Sequence, residues 1–168
     1  MLEALIDSAF SLLLLVGLPA LFVFFVLKGA LVGKPLPTSV FLPGYVLAVS
    51  ASGIELLAIV LVSSTGYVSG QLLVYSLARR HGLAFVRSSP RIRISEAKLR
   101  RSERLFERYG GPAIFLTNFV PYLRGLVLIP AGIASYPVPA VIAYAFSSTF
   151  VYHVALVVVA LELVEFIL

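Results

Sequence analysis

Three long apolar runs dominate the chain, and each is long enough to cross a bilayer as a helix. Residues 5–27 are apolar apart from Asp7, Ser8 and Ser11 near the start; residues 56–77 and 138–161 form the other two runs. About 20 apolar residues in a helix span the roughly 30 Å hydrocarbon layer. The first ten residues carry only the acids Glu3 and Asp7, and no small-x-small site precedes Lys28, so the first run reads as a retained span and not as a signal peptide. Pro19 is expected to kink it. Gly66 and Gly70 in the second run are spaced for close packing of one helix on another.

Two further apolar stretches are interrupted. Residues 34–52 contain Pro35, Pro37, Pro43 and Gly44, and residues 112–134 contain Pro121, Arg124, Gly125, Pro130 and Gly132. Neither is long enough between its breakers to cross. The two resemble each other: Pro43 follows Pro37 by six residues, and Pro130 follows Arg124 by six. Each broken stretch precedes a full run. If each dips into the bilayer and returns, one crossing separates them and they enter from opposite faces. Irregular backbone at membrane depth survives only against protein or water, and paired, inverted, Gly/Pro-interrupted segments point to a transport site near the midplane. Pro37, Pro43, Gly44, Pro121, Gly125, Pro130 and Gly132 are the expected hairpin breakers. The plainer alternative is a pair of short interfacial loops. The expected fold is all-α: transmembrane helices with two inverted re-entrant helical hairpins, in one membrane domain over 1–168.

Composition agrees with that pattern and charge orients it. The 168 residues are 60% hydrophobic and 12% charged, with a mean hydropathy of +1.04, whereas soluble domains are nearer a quarter charged. With no cysteine, disulfides, thiolate metal sites and thiol catalysis are excluded. The net charge of +5 is concentrated: residues 79–108 hold ten cations and three acids, and the rest of the chain is net −2. A basic loop between spans faces the cytoplasm, which puts 79–110 inside, the N-terminus inside and the C-terminus outside. Within it, Ser95 is a candidate N-cap and Gly110 a candidate stop for a helix over 95–109. Leu99, Leu105, Phe106 and Tyr109 share one face and cations cover the rest, as suits a helix lying on an anionic leaflet. Residues 87–93 read equally well as a solvated basic loop. Nucleic acid is not the expected partner, because no aromatic interleaving or fold motif supports it.

Arg124 is the residue that most needs a reason. A cation at mid-bilayer costs about 2.5–3.5 kcal/mol on insertion scales and is normally paired, hydrated or in contact with an anionic substrate. Its flat five-donor fork suits phosphate and, unlike lysine, it cannot deprotonate. A hairpin-tip arginine capping carbonyls or snorkelling to the surface is the alternative. No acid lies in the same hairpin. Glu55 would reach it only if the mouth of one hairpin met the tip of the other. His81 falls in the basic loop, and His153, inside the last run, is either a proton carrier or a packed neutral side chain. No zinc, Ser/His/Asp or phosphate-loop motif is present, so no enzyme activity, metal or cofactor is expected.

Several of these residues fall into a familiar pattern. Phe106 through Gly110, then Phe119-Val120-Pro121-Tyr122-Leu123-Arg124, then Pro130-Ala131-Gly132 resembles the signature of the DedA family (VTT, or SNARE-associated, domain) of membrane proteins. Residues 75–82, Tyr75 to Gly82, resemble the family's Y-x-x-G-R-x-x-G, and residues 35–39 its P-x-P-S/G-E. The resemblance implies inverted re-entrant hairpins and transport of a phosphate-headgroup lipid, a polyprenyl phosphate such as undecaprenyl phosphate or a phospholipid, as a flippase or scramblase. It places the candidate lipid-phosphate site on Arg124, Asn118, Arg79, Tyr122 and Ser39. The chain departs from the pattern at four of its positions. Asn118 stands for the first hairpin arginine, Ser39 for the first-hairpin glutamate, Gln71 for the acid after the span's glycine, and Tyr122 for the glycine after the hairpin proline. Losing both acids favours passive scrambling over a proton-driven mechanism. Membrane lipids, anionic or polyprenyl phosphate, are the expected partners. A homo-oligomer is expected to complete the fold, since one span follows the second hairpin. A non-transporting assembly or scaffold protein and a proton-coupled small-molecule exporter are the rival readings.

Overall fold

The computed structural model describes residues 2–31, 38–82, 84, 95–120 and 123–167. Among them every regular element is a helix: α1 (Leu2–Val16), α2 (Leu18–Gly29), α3 (Thr38–Ala48), α4 (Gly53–His81), α5 (Glu96–Tyr109), α6 (Gly111–Thr117), α7 (Leu128–Ile133) and α8 (Val138–Ile167). Among the described residues, α4 and α8 are the two helices long and apolar enough to cross a membrane. At 1.5 Å per residue they are about 43 and 45 Å long. Their outer surfaces expose large apolar side chains, including Leu57, Leu61 and Leu73 on α4 and Val151, Val158 and Val159 on α8. Hydroxyls on these outer faces bond their own helix: Thr65 donates to the Leu61 carbonyl and Ser69 to that of Thr65. A lipid-facing hydroxyl needs such an internal acceptor.

α4 and α8 run antiparallel. Leu57 and Val60 meet Val154 and Val157 near one end, while Val68 and Tyr75 share a cluster with Val141 and Ala145 near the other. Around this pair the shorter helices cover half-lengths. α2 lies beside the first half of α4 and points the same way: a Cβ on Gly66 would stand 2.6 Å from the Phe22 carbonyl oxygen, and one on Gly70 would run into that of Val26. α2 therefore ends where α4 reaches its middle. α3 packs against α8 and leads back to the start of α4. The other half repeats this with the roles exchanged. α6 lies beside the first half of α8, with Gly111 on Tyr144 and Asn118 bonded to Ser148. α7 then follows the second half of α4, with Gly125 beside Gln71 and Gly132 against the Tyr75 carbonyl.

The two larger of three apolar clusters lie one at each end of the long pair, and a smaller one joins Leu31, Val74, Ala78, Leu126 and Ile129. The first joins α1, α2, α3, the first half of α4 and the far part of α8 through Leu21, Phe25, Phe41, Ile59 and Val157. The second joins the rest of α4 to α5, α6, α7 and the near part of α8 through Tyr75, Phe106, Ile114, Leu128 and Val141. α5 begins at Ser95, whose Oγ accepts from the Lys98 N–H, and stops at Gly110 with φ +58°. Its buried face carries Phe106 and Ser102 while Lys98, Arg100, Arg101, Arg104 and Arg108 stay exposed.

Several sequence expectations change here. Residues 5–27 are not one helix: the chain breaks at Gly17 (φ +73°), two residues before the proline expected to kink it, and Pro19 sits in the first turn of α2, where its missing N–H costs nothing. α2 ends beside the middle of α4, so residues 18–29 form a half-length helix ahead of the segment expected as the first hairpin. Pro43 and Gly44 do not break the chain; both lie within α3. Pro43 forfeits a single bond to the Ser39 carbonyl. Pro130 and Gly132 lie within α7. Pro130 is its third residue, inside the first turn, where N–H groups are unpaired anyway. Gly125, at φ +78°, does turn the chain. Pro37, Pro121 and Tyr122 lie outside the described residues.

The close approach of α2 to α4 gives a direct test. Gly70→Ala must push two backbones apart and should cost about 1–3 kcal/mol by overpacking, lowering the thermal unfolding midpoint in detergent. Gly44→Ala, whose Cβ would meet only the Phe10 ring at 3.4 Å, should leave the midpoint unchanged or raise it.

Candidate functional site

Between the two larger apolar clusters lies a belt of polar side chains, and it falls at the middle of both long helices. Tyr67 is the fifteenth of the 29 residues of α4, and Tyr152 the fifteenth of the 30 of α8. Around them Ser63, Ser64, Gln71, Asn118, Ser148, Thr149 and His153 are almost wholly buried. The long helices supply six of these seven, and the turn after α6 supplies Asn118.

Arg124 enters the belt from the loop between α6 and α7. Overlapping turns hold that loop: Arg124 N–H bonds the Val120 carbonyl, Leu126 that of Leu123, and Leu128 that of Gly125. The guanidinium is sandwiched, its carbon 4.1 Å from the centroid of the Tyr67 ring and 4.1 Å from that of Tyr152. A desolvated cation–π contact contributes about 2 kcal/mol. Two of them are comparable to the ~2.5–3.5 kcal/mol cost of placing the cation at mid-bilayer, so the tyrosines can hold the charge at depth without a carboxylate. Among the described residues Arg124 has no ion pair; the one salt bridge is Arg100–Glu96 on the surface of α5. Glu55 lies twelve residues before Tyr67 on α4, about 18 Å away along the axis, and is exposed.

Arg124 Nη2 lies 3.4 Å from His153 Nε2. Arginine can only donate, so Nε2 accepts; the proton then sits on Nδ1, which donates to Ser64 Oγ at 3.1 Å. His153 is thereby a neutral orienting group for the guanidinium. Among the described residues, Arg124 Nε is buried with no hydrogen-bond partner, as are Gln71 Oε1 and Ser63 Oγ. Buried polar atoms are rarely left unsatisfied, and an arginine donor lacking an acceptor is a place for an anion or water.

Gln71 and Asn118, two departures from the family pattern, form one unit. Gln71 Nε2 donates to Asn118 Oδ1 at 2.9 Å, and Asn118 Nδ2 donates to Ser148 Oγ at 2.7 Å and Thr149 Oγ1 at 3.5 Å. Ser148 in turn donates to the Tyr144 carbonyl. Where the pattern has an acid and an arginine, this chain has two neutral amides bonded to each other.

Of the candidate phosphate-site residues, Arg124 and Asn118 come together in the belt. Arg79 does not: it is exposed at the end of α4, twelve residues beyond Tyr67, and its Nη1 donates to Tyr75 Oη at 3.5 Å. Ser39 is exposed in the first turn of α3. Tyr67, Tyr152 and Ser64 were not among the candidates. The available signal was an aromatic residue with a hydroxyl at the midpoint of each of two apolar runs.

The VTT domain family matches residues 36–161, three quarters of the sequence and all of this belt. The chain belongs to the VTT domain family. Its relatives include a Bacillus subtilis (strain 168) protein called "Uncharacterized membrane protein YkoX", 34% identical over 70% of this chain and 55% of that one. A Lactococcus lactis subsp. lactis (strain IL1403) relative called "Alkaline phosphatase-like protein" is 28% identical over 73% of this chain and 60% of its own. "Undecaprenyl phosphate transporter A" of Staphylococcus aureus (strain NCTC 8325 / PS 47) is 27% identical over 70% and 59%. The chain thus spans between half and two thirds of the length of these relatives. No solved structure gives a significant match. Like its VTT relatives, the chain is a membrane protein.

The amide pair makes a measurable prediction for this VTT chain. Asn118→Leu strands the Gln71 amide and should destabilise by about 1–3 kcal/mol. Adding Gln71→Leu should recover part of the loss, so that the two effects, read from unfolding midpoints, are clearly less than additive.

Proposed function

We propose that this protein is a lipid transporter that carries a phosphate-headgroup lipid across the membrane, with Arg124 receiving the phosphate at mid-depth. The observation that carries the reading is the partly exposed arginine whose guanidinium is held between two tyrosines halfway along two bilayer-length helices, with an Nε that has no partner and no carboxylate against it among the described residues. An intramembrane charge is costly enough that it marks a substrate or ion path. Phosphate fits the planar donor fork, and the tyrosine faces leave the guanidinium edge for hydrogen bonding.

On this reading α2–α3 and α6–α7 are re-entrant hairpins that enter from opposite faces and meet at the belt. The basic segment 79–110 faces the cytoplasm, by the positive-inside rule. A headgroup would leave one leaflet, rest at Arg124 and depart by the other half, its tail remaining in lipid throughout. The apolar cavity of about 350 Å³ near the start of α4, lined by Leu18, Tyr45, Ile54 and Glu55 among others, suits a vestibule on the opposite face. The relatives named as undecaprenyl phosphate transporters support a polyprenyl phosphate as cargo. Export of cations is disfavoured, since the belt holds no acid among the described residues.

The test is flipping of undecaprenyl phosphate or a fluorescent phospholipid in liposomes. Wild type should accelerate it. Arg124→Ala should slow it about ten- to hundredfold, the equivalent of one charge-assisted hydrogen bond of ~1.5–3 kcal/mol. Arg124→Lys keeps the charge but not the fork and should fall between them. Flipping by Arg124→Ala at the wild-type rate, in a protein that folds normally, would remove the reading.

A further inference from the structure

A directed chain of hydrogen bonds runs through the belt and ends on a buried acceptor. It starts at Ser148, whose hydroxyl proton goes to the Tyr144 carbonyl at 2.7 Å. Ser148 Oγ must then accept, so Asn118 turns Nδ2 toward it and Oδ1 away. Oδ1 in turn takes its donor from Gln71, Nε2 at 2.9 Å. Reversing one amide would set like groups against each other, and reversing both would require the Ser148 proton twice. Gln71 Oε1 is therefore left over, an acceptor on a fully buried side chain with no hydrogen-bond partner among the described residues.

That acceptor lies beside the Arg124 site. Gln71 follows Tyr67 by one turn of α4, and Ser148 precedes Tyr152 by one turn of α8. The amide layer thus sits about 5.4 Å from the two rings that clamp the guanidinium, on the side of α5. The Gln71 amide also borders the Arg124 loop: its Nε2 is 3.6 Å from where a Cβ on Gly125 would stand. Arg124 Nε is the complementary case, a buried donor with no hydrogen-bond partner among the described residues. Two hydrogen bonds of about 2.7 Å laid end to end span the interval between the layers. An enclosed water donating to Oε1 is the purely structural account to beat.

We propose that Gln71 is a specificity-determining residue: its Oε1 accepts a hydrogen bond from the P–OH of a phosphate monoester headgroup while Arg124 donates to an anionic oxygen of the same phosphate. This deepens, and rests on, the reading of Arg124 as the headgroup site. Arg124 is partly exposed, so a headgroup arrives at its edge and settles one turn deeper onto the amide. A phosphate monoester has its second pKa at about 6 and in its singly protonated form carries both kinds of oxygen. A phosphodiester has the anionic oxygens and an ester carbon in place of the proton. It would meet Arg124 and leave Oε1 buried and unsatisfied, which is costly. A carboxylate at residue 71 would also accept the bond but would repel the phosphate; the amide accepts it without adding charge.

The experiment uses the full chain in phosphatidylcholine nanodiscs at pH 6, doped with equal small amounts of phosphatidic acid, a monoester, and phosphatidylmethanol, its methyl diester with the same acyl chains. The ratio of the two lipids retained is read by native mass spectrometry. Wild type should favour phosphatidic acid about three- to tenfold, one neutral hydrogen bond's worth. Gln71→Leu should abolish the preference by lowering phosphatidic acid binding while leaving phosphatidylmethanol within about twofold. Gln71→Leu with Asn118→Leu, which removes the stranded amide, should do the same and supplies a folded variant if the single one unfolds. Inorganic phosphate added to the buffer should leave the bound lipid in place; its displacement would identify a soluble phosphate and overturn the assignment to a headgroup. Equal binding of the two lipids by wild type, or an equal loss of both in the Gln71 variants, overturns the proposal and leaves Oε1 to an enclosed water. If Arg124→Ala weakens both lipids while the Gln71 variants keep the preference, the Arg124 reading stands and only this inference falls. If Arg124→Ala changes neither, both fall.

Discussion

A permanent positive charge at the midpoint of two apolar helices is the constraint around which this molecule is arranged. Arginine cannot shed its proton, so the charge must be matched where it lies. Here it is matched by the faces of Tyr67 and Tyr152 and by the ring nitrogen of His153, with no carboxylate against it among the described residues. That choice has a functional consequence. A guanidinium locked to a carboxylate has its donors satisfied; one held by π-faces keeps donors at its edge for an incoming anion.

The half-length helices supply the rest of the arrangement. A chain of full-length helices would pass through mid-depth without ending there, and only a terminus or turn can deliver a backbone-anchored side chain such as Arg124 with room beside it. Each half of this protein delivers one such end to the belt: α2 beside the first half of α4, α6 beside the first half of α8. The glycines at 66, 70 and 132 let α2 and α7 approach the α4 backbone closely. Polar groups that would otherwise be stranded there satisfy one another, as Gln71, Asn118 and Ser148 do.

Much of this was legible in the sequence, and the failures have physical causes. Hydrophobic length located α4 and α8, and capping chemistry located both ends of α5, since Ser95 and Gly110 act through local backbone geometry. The correspondence of Pro43 with Pro130 was visible, but both lie within helices and do not interrupt them. Pro130 falls in a first turn, where a missing N–H costs nothing, while α3 accommodates Pro43 at the loss of one bond, and sequence alone did not reveal where those helices begin. The 5–27 run concealed the break at Gly17, because hydropathy averages over a residue whose positive φ ends a helix without changing polarity. Asn118 and Gln71 were read as separate losses of charge. Their pairing became evident only when a contact 47 residues apart in sequence was seen. Tyr67 and Tyr152 were overlooked for a similar reason: a tyrosine in an apolar run looks like core until the cation it faces is known.

The central claim is that the lipid phosphate reaches Arg124 inside the bilayer. A cryo-EM structure of the protein in nanodiscs containing undecaprenyl phosphate, enlarged by a bound antibody fragment, addresses it directly. The account predicts phosphate density within hydrogen-bonding distance of the Arg124 guanidinium, at its edge and between the Tyr67 and Tyr152 rings. Headgroup density confined to the two membrane surfaces, with the guanidinium sealed by protein, would contradict it.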